Sequence, residues 1–388
     1  MKSFAWTTNS STVVPTVHEL TNGHLLITGQ TGSGKTTTTL SLLSQLQRAT
    51  STAIVFDPTG EYTQLPNVVV YRLGGNAYLD AGQFSAPALL NITGLPQSFC
   101  QLAKQAMNSL RIMQNLHGTA QVFKKINYPI DKYQQQINQL ERWTASYPVD
   151  LLPAQMIEEL VVPYADQRAN YQVLGQEYHR QRIQEDWPWL TRLREQISLP
   201  AFQALFGTGH SASGPLVELN YVIQMFLSQP VDHQTLVIDL SVLKQFEAVQ
   251  QIVISQLLKQ ILVYRLRNDH HLPVKIVIDE AHRYLPAEDQ LADNGIFQIA
   301  REGRKANLAL ILTTQSPLDL SSRLRSQFSN LIVHHLAAPQ EWAAFPWAHV
   351  AEDQLAVGSA IIKASLEDPI TAQINLPELW KRRSHGIY

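Results

Sequence analysis

The stretch Gly29-Gln30-Thr31-Gly32-Ser33-Gly34-Lys35-Thr36 follows directly after a short apolar run, Leu25–Thr28. It matches the pattern G-x-x-x-x-G-K-[ST], in which glycines let successive backbone N–H groups turn inward around phosphate oxygens. Residues 36–46 carry leucines at helical spacing, so a helix N-terminus would point at the same anion. A strand, a glycine-rich loop and a helix in this order predict a nucleoside triphosphate site.

Side chains within this loop have distinct predicted roles. The Lys35 ammonium would reach the β- and γ-phosphates, and the Thr36 hydroxyl would bind Mg²⁺. The backbone of residues 29–36, together with Thr37 at the next position, is predicted to hold the nucleotide.

Composition limits the class of protein. Of the 388 residues, 45% are hydrophobic and 16% are charged, as is typical of a globular protein with an ample core. A formal net charge of −2 does not exclude nucleic acid as a partner, because a ring-shaped motor can confine its basic residues to a narrow lumen. The single cysteine, Cys100, rules out a disulfide framework and a multi-cysteine metal site. With no apolar leader and no apolar run of about 18 residues, the sequence predicts a cytoplasmic protein without a transmembrane segment.

The first and last parts of the chain alternate strand and helix signals, which predicts parallel βαβ units. After the phosphate loop, the expected elements are strands at 53–57, 68–71 and 235–240, a helix at 246–267, a strand at 274–278, a helix at 289–305, and strands at 308–312 and 331–333. Residues 359–363 and 370–374 predict a C-terminal β-hairpin. We therefore expect an α/β fold with a mainly parallel central sheet, its core formed by residues 1–80 and 231–388.

Residues 81–230 differ in composition, because glutamine is frequent and the hydrophobic pattern is mainly helical. The prolines expected to break these helices are Pro148, Pro153, Pro163 and Pro188. The aromatic residues expected in the core of this segment are Tyr164, Tyr171, Trp187 and Trp189. We interpret the segment as a large helical insertion carried on the sheet.

A second acidic motif completes the predicted site. The apolar run Val274–Ile278 ends in Asp279 and Glu280. In a site of this kind the first carboxylate holds Mg²⁺ and the second acts as general base on the attacking water. We therefore predict Asp279 as a metal ligand and Glu280 as a catalytic residue.

Two further motifs leave alternatives open. Gln315 follows the predicted strand at 308–312, where an amide could sense the γ-phosphate, although the same residues also form an ordinary strand exit. Arg301 and Arg304 lie at the end of a predicted helix, where basic residues are favoured by the helix dipole alone. Their functional interpretation is contact with a γ-phosphate at a subunit interface, or with DNA phosphates.

The histidine pairs lack the spacing of metal ligands. His270-His271 and His334-His335 have no cysteine or acidic partner at a suitable distance along the chain, so we predict surface turns or ordinary packing. His282 follows the two carboxylates closely enough to contact them.

Five motifs in this order resemble the HerA/FtsK superfamily of P-loop motors, and within it the HerA-like (DUF87) ATPases. The motifs are residues 29–36; residues 56–62, similar to D-x-x-G-E-[YF]; residues 237–241; residues 279–282; and residues 301–305 followed by 314–317. The resemblance covers about residues 21–80 and 230–376.

This resemblance implies a RecA/FtsK-like P-loop NTPase fold and a homo-hexameric ring that hydrolyses ATP at its subunit interfaces and threads DNA through its pore. It assigns Lys35 and Thr36 to ATP and Mg²⁺, Asp279 and Glu280 to metal and water, and Gln315 to the γ-phosphate sensor. The candidates for the arginine finger are Arg301 and Arg304. Asp57 and Glu61 would lie near the phosphate strand, to support the metal or to couple neighbouring subunits.

Two alternatives to a DNA translocase or helicase remain open. HerA carries a small β-barrel before its phosphate loop, whereas only a short lead-in precedes this one, so we expect the barrel to be absent. One alternative is a secretion or conjugation ATPase of the VirB4/TraB kind. The other is a nucleotide-gated assembly partner of a nuclease or other effector.

Overall fold

The computed structural model describes residues 6–7, 15–49, 51–140, 146–207, 210–211, 214–228, 234–268, 272–348, 355–365 and 368–376. Its strands are β1 (Trp6–Thr7), β2 (Leu25–Thr28), β3 (Thr52–Asp57), β4 (Val68–Arg72), β5 (Ala77–Tyr78), β6 (Val161–Val162), β7 (Glu177–Tyr178), β8 (His210–Ser211), β9 (Gly214–Pro215), β10 (Val217–Glu218), β11 (Thr235–Asp239), β12 (Val274–Ile278), β13 (Leu308–Thr314), β14 (Asn330–Val333), β15 (Ser359–Lys363) and β16 (Ile370–Ile374). Its α-helices are α1 (Val17–Thr21), α2 (Lys35–Leu46), α3 (Ala86–Thr93), α4 (Cys100–Arg111), α5 (Ile130–Leu140), α6 (Leu152–Glu158), α7 (Arg180–Ser198), α8 (Pro200–Phe206), α9 (Leu219–Ser228), α10 (Glu247–Arg267), α11 (Gly295–Glu302), α12 (Ser322–Arg325) and α13 (Pro339–Trp342).

The chain divides into two compact units, which we call the sheet unit and the helical unit. The sheet unit combines residues 1–72 with residues 220–388, and the helical unit is formed by residues 73–219. Within the described residues, no helix combines the length and the apolar character needed to cross a bilayer.

The sheet unit contains one sheet of ten described strands in the order β1-β16-β15-β14-β2-β13-β12-β3-β11-β4. The run from β14 to β4 is parallel, and β15, β16 and β1 add to it antiparallel. Strand β13 lies between β2, which leads into the phosphate loop, and β12, which leads into Asp279. The expectation of an α/β fold with a mainly parallel sheet is confirmed, and the carboxyl ends of β2, β13 and β12 meet at one edge.

Burial explains why these strands could be located from sequence. Every residue of β2, β3, β12 and β13 is buried, so each strand is encoded as a nearly continuous apolar run. Strands β12, β15 and β16 begin and end at the predicted residues. Strand β13 continues to Thr314, two residues beyond its predicted end, because it pairs with β2 as far as Thr28.

The helix expected at 289–305 is wrong as a single element. Helix α11 covers only Gly295–Glu302, with 3₁₀ turns at Glu288–Asp293 and Gly303–Ala306 on either side. Asn294 has extended backbone angles and its side chain accepts the N–H of Ile296, so it caps a new helix rather than continuing an old one.

The helical unit contains α3 to α8 and short strand pairs. Pro188 lies inside α7, so the helix break expected there is wrong. The helix continues through the proline because Leu190, Leu193 and Ile197 are buried along one side of its last turns. Pro153 lies in the first turn of α6, a position where a missing N–H costs nothing.

The aromatic residues of the helical unit are less buried than predicted. Tyr171 is 77% exposed and Trp187 is 48% exposed, so their assignment to the core is wrong. Trp189, on the other side of Pro188, is half-buried and packs 6.4 Å from the Phe99 ring, centroid to centroid.

Candidate functional site

The phosphate loop connects β2 to α2. Gly34 caps α2 with φ of +116°, a backbone conformation that is strained for residues with a side chain. The Lys35 ammonium folds over the loop and donates to the carbonyl oxygens of Gly29 (2.7 Å) and Gln30 (3.3 Å). Lys35 is buried, whereas Thr36 is exposed in the first turn of α2. The lysine is therefore held at the place from which it would meet bound phosphates.

Three of the predicted catalytic residues converge at the carboxyl-end edge of the sheet. Lys35 Nζ lies 3.7 Å from Glu280 Oε1, and the same oxygen accepts the side-chain amide of Gln315 at 3.4 Å. Their motifs are far apart along the chain, and the order β2-β13-β12 brings them to neighbouring strand ends.

Glu280 has an unusual backbone. Its φ of +47° is left-handed, a conformation that costs free energy in a residue other than glycine and that often marks a functional position. Its N–H donates to Thr313 Oγ1 (2.8 Å) and to Asp279 Oδ1 (3.1 Å), and these bonds hold the strained conformation. Among the described residues, its buried Oε2 has no hydrogen-bond donor. His282 Nδ1 lies 3.4 Å from that oxygen, which agrees with the contact predicted for this histidine.

Asp279 is fixed by two residues to which sequence reasoning gave no role. The hydroxyl of Tyr62 donates to Asp279 Oδ2 at 2.8 Å, and the hydroxyl of Thr313 donates to Oδ1. Burial, followed by the Asp279 charge, raises the pKa of Tyr62 well above its usual value, so the phenol stays protonated and donates. Tyr62 ends the D-x-x-G-E-[YF] segment, but no spacing rule in the sequence links that segment to Asp279.

The D-x-x-G-E-[YF] segment is a turn organised by Asp57. Its carboxylate accepts the backbone N–H groups of Gly60 (2.7 Å), Glu61 (3.1 Å) and Tyr62 (2.8 Å). Asp57 therefore holds the turn that presents Tyr62 to Asp279. Burial raises the pKa of Glu61, and the charges of Asp279, Asp57 and Glu280 raise it further, while the charge of Lys244 lowers it. This edge of the sheet is strongly acidic.

Oxygen donors at this edge suit a hard divalent cation. The Thr36 hydroxyl and the Asp279 carboxylate are ligands of the type that Mg²⁺ prefers, and Mg²⁺ is usually held by one or two carboxylates together with substrate phosphates. The crowding of negative charge that raises the pKa of Glu61 would be relieved by such an ion. The residues present therefore fit Mg²⁺.

Arg301 and Arg304 lie at the other edge of the sheet, away from the phosphate loop of their own chain. They line a cleft of about 550 Å³ together with Lys275, at the start of β12, and His24, just before β2. We call it the amino-end cleft. Because the buried strands run the full depth of the sheet between the two edges, the structure does not bring these arginines together with Lys35 and Glu280.

The histidine pairs are resolved in part. His270 and His271 lie outside the described residues. His334, directly after β14, is fully buried, and its ring contacts Thr38 Oγ1 (2.8 Å) and the Ser359 carbonyl (2.9 Å). The prediction of ordinary packing is confirmed for His334, and its contacts lie directly beside the phosphate loop.

Curated relatives of this chain include proteins named as probable helicases. The chain is 23% identical to the probable helicase MJ1565 of Methanocaldococcus jannaschii, over 94% of this chain and 67% of that protein. It spans about two thirds or less of the length of the curated relatives it matches.

Two solved structures share the fold. One is the plasmid coupling protein TrwB in complex with ADP and Mg²⁺, with a TM-score of 0.58 and 14% identity over 97% of this chain and 91% of that chain. The other is VirB4 of Thermoanaerobacter pseudethanolicus, with a TM-score of 0.57 and 15% identity over 92% and 90% of the two chains.

A family model described as the central domain of helicase HerA, DUF87, matches residues 6–261. This match covers more than half of the sequence and includes the phosphate loop. The chain therefore belongs to the DUF87 family of HerA-like P-loop proteins.

Proposed function

We propose that this chain is the subunit of a homo-hexameric ring that hydrolyses ATP to translocate along DNA or to unwind it. The observation that carries the proposal is that the Lys35 ammonium and the Gln315 side-chain amide both contact the same carboxylate oxygen of Glu280. Membership of the HerA-like family and similarity to a protein named as a probable helicase support a DNA substrate.

Hydrolysis would proceed through groups that are already aligned. The backbone N–H groups of residues 29–36 and the Lys35 ammonium would bind the phosphates. A triphosphate offers Lys35 stronger acceptors than Glu280 does, so the Glu280 carboxylate would be released to take a proton from the attacking water. Gln315, already hydrogen-bonded to Glu280, would orient that water beside the γ-phosphate.

Thr36 and Asp279 would hold Mg²⁺, which neutralises charge on the phosphates. Tyr62 and Thr313 would keep the Asp279 carboxylate in a single orientation, since each donates to one of its two oxygens.

The arginine finger would come from a neighbouring subunit. Arg301 and Arg304 line the amino-end cleft and are remote from the phosphate loop of their own chain, which supports action in trans. A ring would present this cleft to the site of the next subunit and leave its pore to DNA, with a nuclease or other effector as a further partner.

A second candidate is a secretion or conjugation ATPase. The similarity to TrwB and VirB4 spans almost the whole chain, which favours it, although identity near 15% supports the shared fold alone. Such a protein would be recovered with a membrane complex, and one that moves protein rather than DNA would not be stimulated by DNA.

Steady-state ATP hydrolysis with Mg²⁺, measured with and without linear duplex and single-stranded DNA, tests the proposal. We expect stimulation by DNA that weakens steeply as salt rises, because contacts with phosphates release counterions. Glu280→Gln should still bind ATP but hydrolyse it at least about 100-fold more slowly, since a general base contributes 10²–10⁴-fold. Glu288→Gln, an exposed glutamate in the turn before α11, is the matched control. Turnover that is indifferent to DNA would contradict translocation and favour the second candidate.

A further inference from the structure

Two C-terminal segments form backbone hydrogen bonds with the phosphate loop. Strand β14 continues alongside the loop, because His334 N–H donates to Thr28 O (2.8 Å) and Gln30 N–H donates to His335 O (2.9 Å). At the start of β15, Gly358 N–H donates to Ser33 O (3.1 Å).

The phosphate loop packs tightly against these two segments. A Cβ added at Gly29 would lie 2.5 Å from His334 Cβ, a distance that side-chain atoms essentially never adopt. A Cβ added at Gly34 would lie 3.2 Å from Gly358 Cα and 3.3 Å from His334 Cε1. Both glycine ends of the phosphate loop therefore lie against the same histidine, Gly29 against its Cβ and Gly34 against its ring, so a shift of this residue would reach the backbone that is predicted to bind the nucleotide.

The protonation of the His334 ring follows from its two partners. The Ser359 carbonyl can only accept, so Nδ1 carries the hydrogen in the 2.9 Å contact. Burial lowers the pKa of His334 to about 4, so the ring is neutral and Nε2 accepts the Thr38 hydroxyl at 2.8 Å. The ring thus links the first turns of α2 to the hairpin formed by β15 and β16.

We propose that His334 is a positioning residue for nucleotide binding: its ring fixes the phosphate loop and the start of α2 against the C-terminal hairpin, and so sets nucleotide affinity without touching the nucleotide. This inference rests on the proposed function, because it requires that the loop binds a nucleotide. It separates the binding of nucleotide from its hydrolysis, since His334 contacts neither Glu280 nor Gln315 through any hydrogen bond described.

Titration calorimetry with ADP, together with kcat at saturating ATP and the melting temperature, tests this role. His334→Phe keeps the ring volume but removes both hydrogen bonds, and Thr38→Val removes the hydroxyl at nearly constant shape. Each removes the bond between the His334 ring and the Thr38 hydroxyl and should weaken ADP binding at least about tenfold, the size expected for one buried hydrogen bond, while kcat at saturation changes less than about threefold. Thr38→Ser keeps the hydroxyl and should restore the wild-type Kd.

Two further comparisons decide the outcome. The double variant His334→Phe/Thr38→Val should weaken ADP binding less than the product of the two single effects, because both substitutions remove the bond between the His334 ring and the Thr38 hydroxyl. Gln155→Leu removes two buried hydrogen bonds to the Phe123 backbone in the helical unit and should lower the melting temperature while leaving the Kd for ADP unchanged.

Variants at His334 and Thr38 that melt earlier but bind ADP with the wild-type Kd would overturn the inference. If His334→Phe does not fold, the Thr38→Val and Thr38→Ser pair decides alone. A wild-type chain without affinity for ADP would contradict the proposed function and, with it, this inference.

Discussion

The two edges of the central sheet carry opposite charge. Where the parallel strands end, Asp57, Glu61, Asp279 and Glu280 lie close enough for their charges to interact, and Glu280 contacts Lys35 of the phosphate loop. Where the strands begin, the amino-end cleft is lined by Lys275, Arg301 and Arg304. Among the described residues lining that cleft, Glu19 alone carries a carboxylate, and its oxygen already accepts the N–H and hydroxyl of Thr16.

This difference in charge indicates that the two edges have different roles in a ring of subunits. The acidic edge can hold a cation and activate water, and Lys35 is the described cation that contacts both Glu280 and the carbonyls of the phosphate loop. The amino-end cleft has the opposite property, with cationic side chains and no nucleotide loop. On the proposed function, the two edges are complementary halves of one composite site, each half contributed by a different subunit.

The largest effect is expected at the acidic edge, from Lys35→Ala. Loss of the ammonium removes the cation that pairs with Glu280 and with the loop carbonyls, and we expect both nucleotide binding and hydrolysis to fall below detection. Calorimetry with ADP and a steady-state ATPase assay measure the two quantities. Lys104→Ala, an exposed lysine of α4, serves as the control. Normal binding by Lys35→Ala would remove the loop from the proposed site.

At the cationic edge, Arg301→Ala and Arg304→Ala should separate binding from hydrolysis. The true finger should lose about 10³-fold in kcat with its ADP affinity kept within about twofold, because a finger stabilises only the transition-state charge. Arg267→Ala, at the exposed end of α10, is the matched control.

Mixing subunits tests whether the two edges act together. Rings assembled from the inactive arginine variant and Lys35→Ala subunits should regain part of their activity, since some interfaces then combine an intact loop with an intact finger. Mixtures that remain inactive would place the arginine outside the site of the neighbouring subunit. They would contradict the proposal that the two edges form one site between subunits.

A smaller effect is expected from the residues that orient Asp279. Tyr62→Phe and Thr313→Val each remove one donor to its carboxylate, and such changes typically reduce metal affinity or activity by about 10- to 100-fold. We expect the loss to shrink as the Mg²⁺ concentration rises, which a titration of ATPase rate against Mg²⁺ would show. Tyr147→Phe is the control, because the buried Tyr147 hydroxyl has no hydrogen-bond partner among the described residues. A loss independent of Mg²⁺ would argue against a role through the metal.

Sequence reasoning located the fold where burial leaves a continuous signal. Strand β12 and the C-terminal hairpin matched residue for residue, because buried strands are encoded by apolar runs of the right length. It failed where a single side chain overrides the pattern. Asn294 starts a new helix within a segment expected to be continuous, and Pro188 is tolerated within α7.

Some residues of the candidate site could be assigned from the sequence, and others could not. Lys35, Glu280 and Gln315 were assigned from motifs, and the strand order then brought them together, while their catalytic roles stay predictions. The contributions of Tyr62 and His334 could not be found, because each acts through a bond to a residue more than 200 positions away. Motifs record local chemistry, whereas these bonds exist only once the sheet has formed.

The smallest expected effect is on the pH dependence of stability, and it concerns two histidines, one at each edge of the sheet. Burial lowers the pKa of His24 and of His334 to about 4, and both rings are held neutral. In the unfolded chain a histidine has a pKa near 6.5, so below that pH the unfolded state binds more protons and the folded state loses stability. The loss continues as the pH falls to about 4 and then levels off. Between pH 7 and pH 6, each histidine should cost about 0.7 kcal/mol of unfolding free energy.

Urea unfolding of the wild type, His24→Phe and His334→Phe at both pH values isolates these contributions, since all other titrating groups are common to the three proteins. Each variant should lose less stability than the wild type between pH 7 and pH 6, by about 0.7 kcal/mol. Equal pH dependence in all three would mean that the rings titrate normally in the folded state. Because the two histidines share this acid response but only His334 contacts the first turns of α2, added ADP should distinguish them. It should stabilise His24→Phe as much as the wild type and His334→Phe less, since stabilisation by a ligand falls with its affinity.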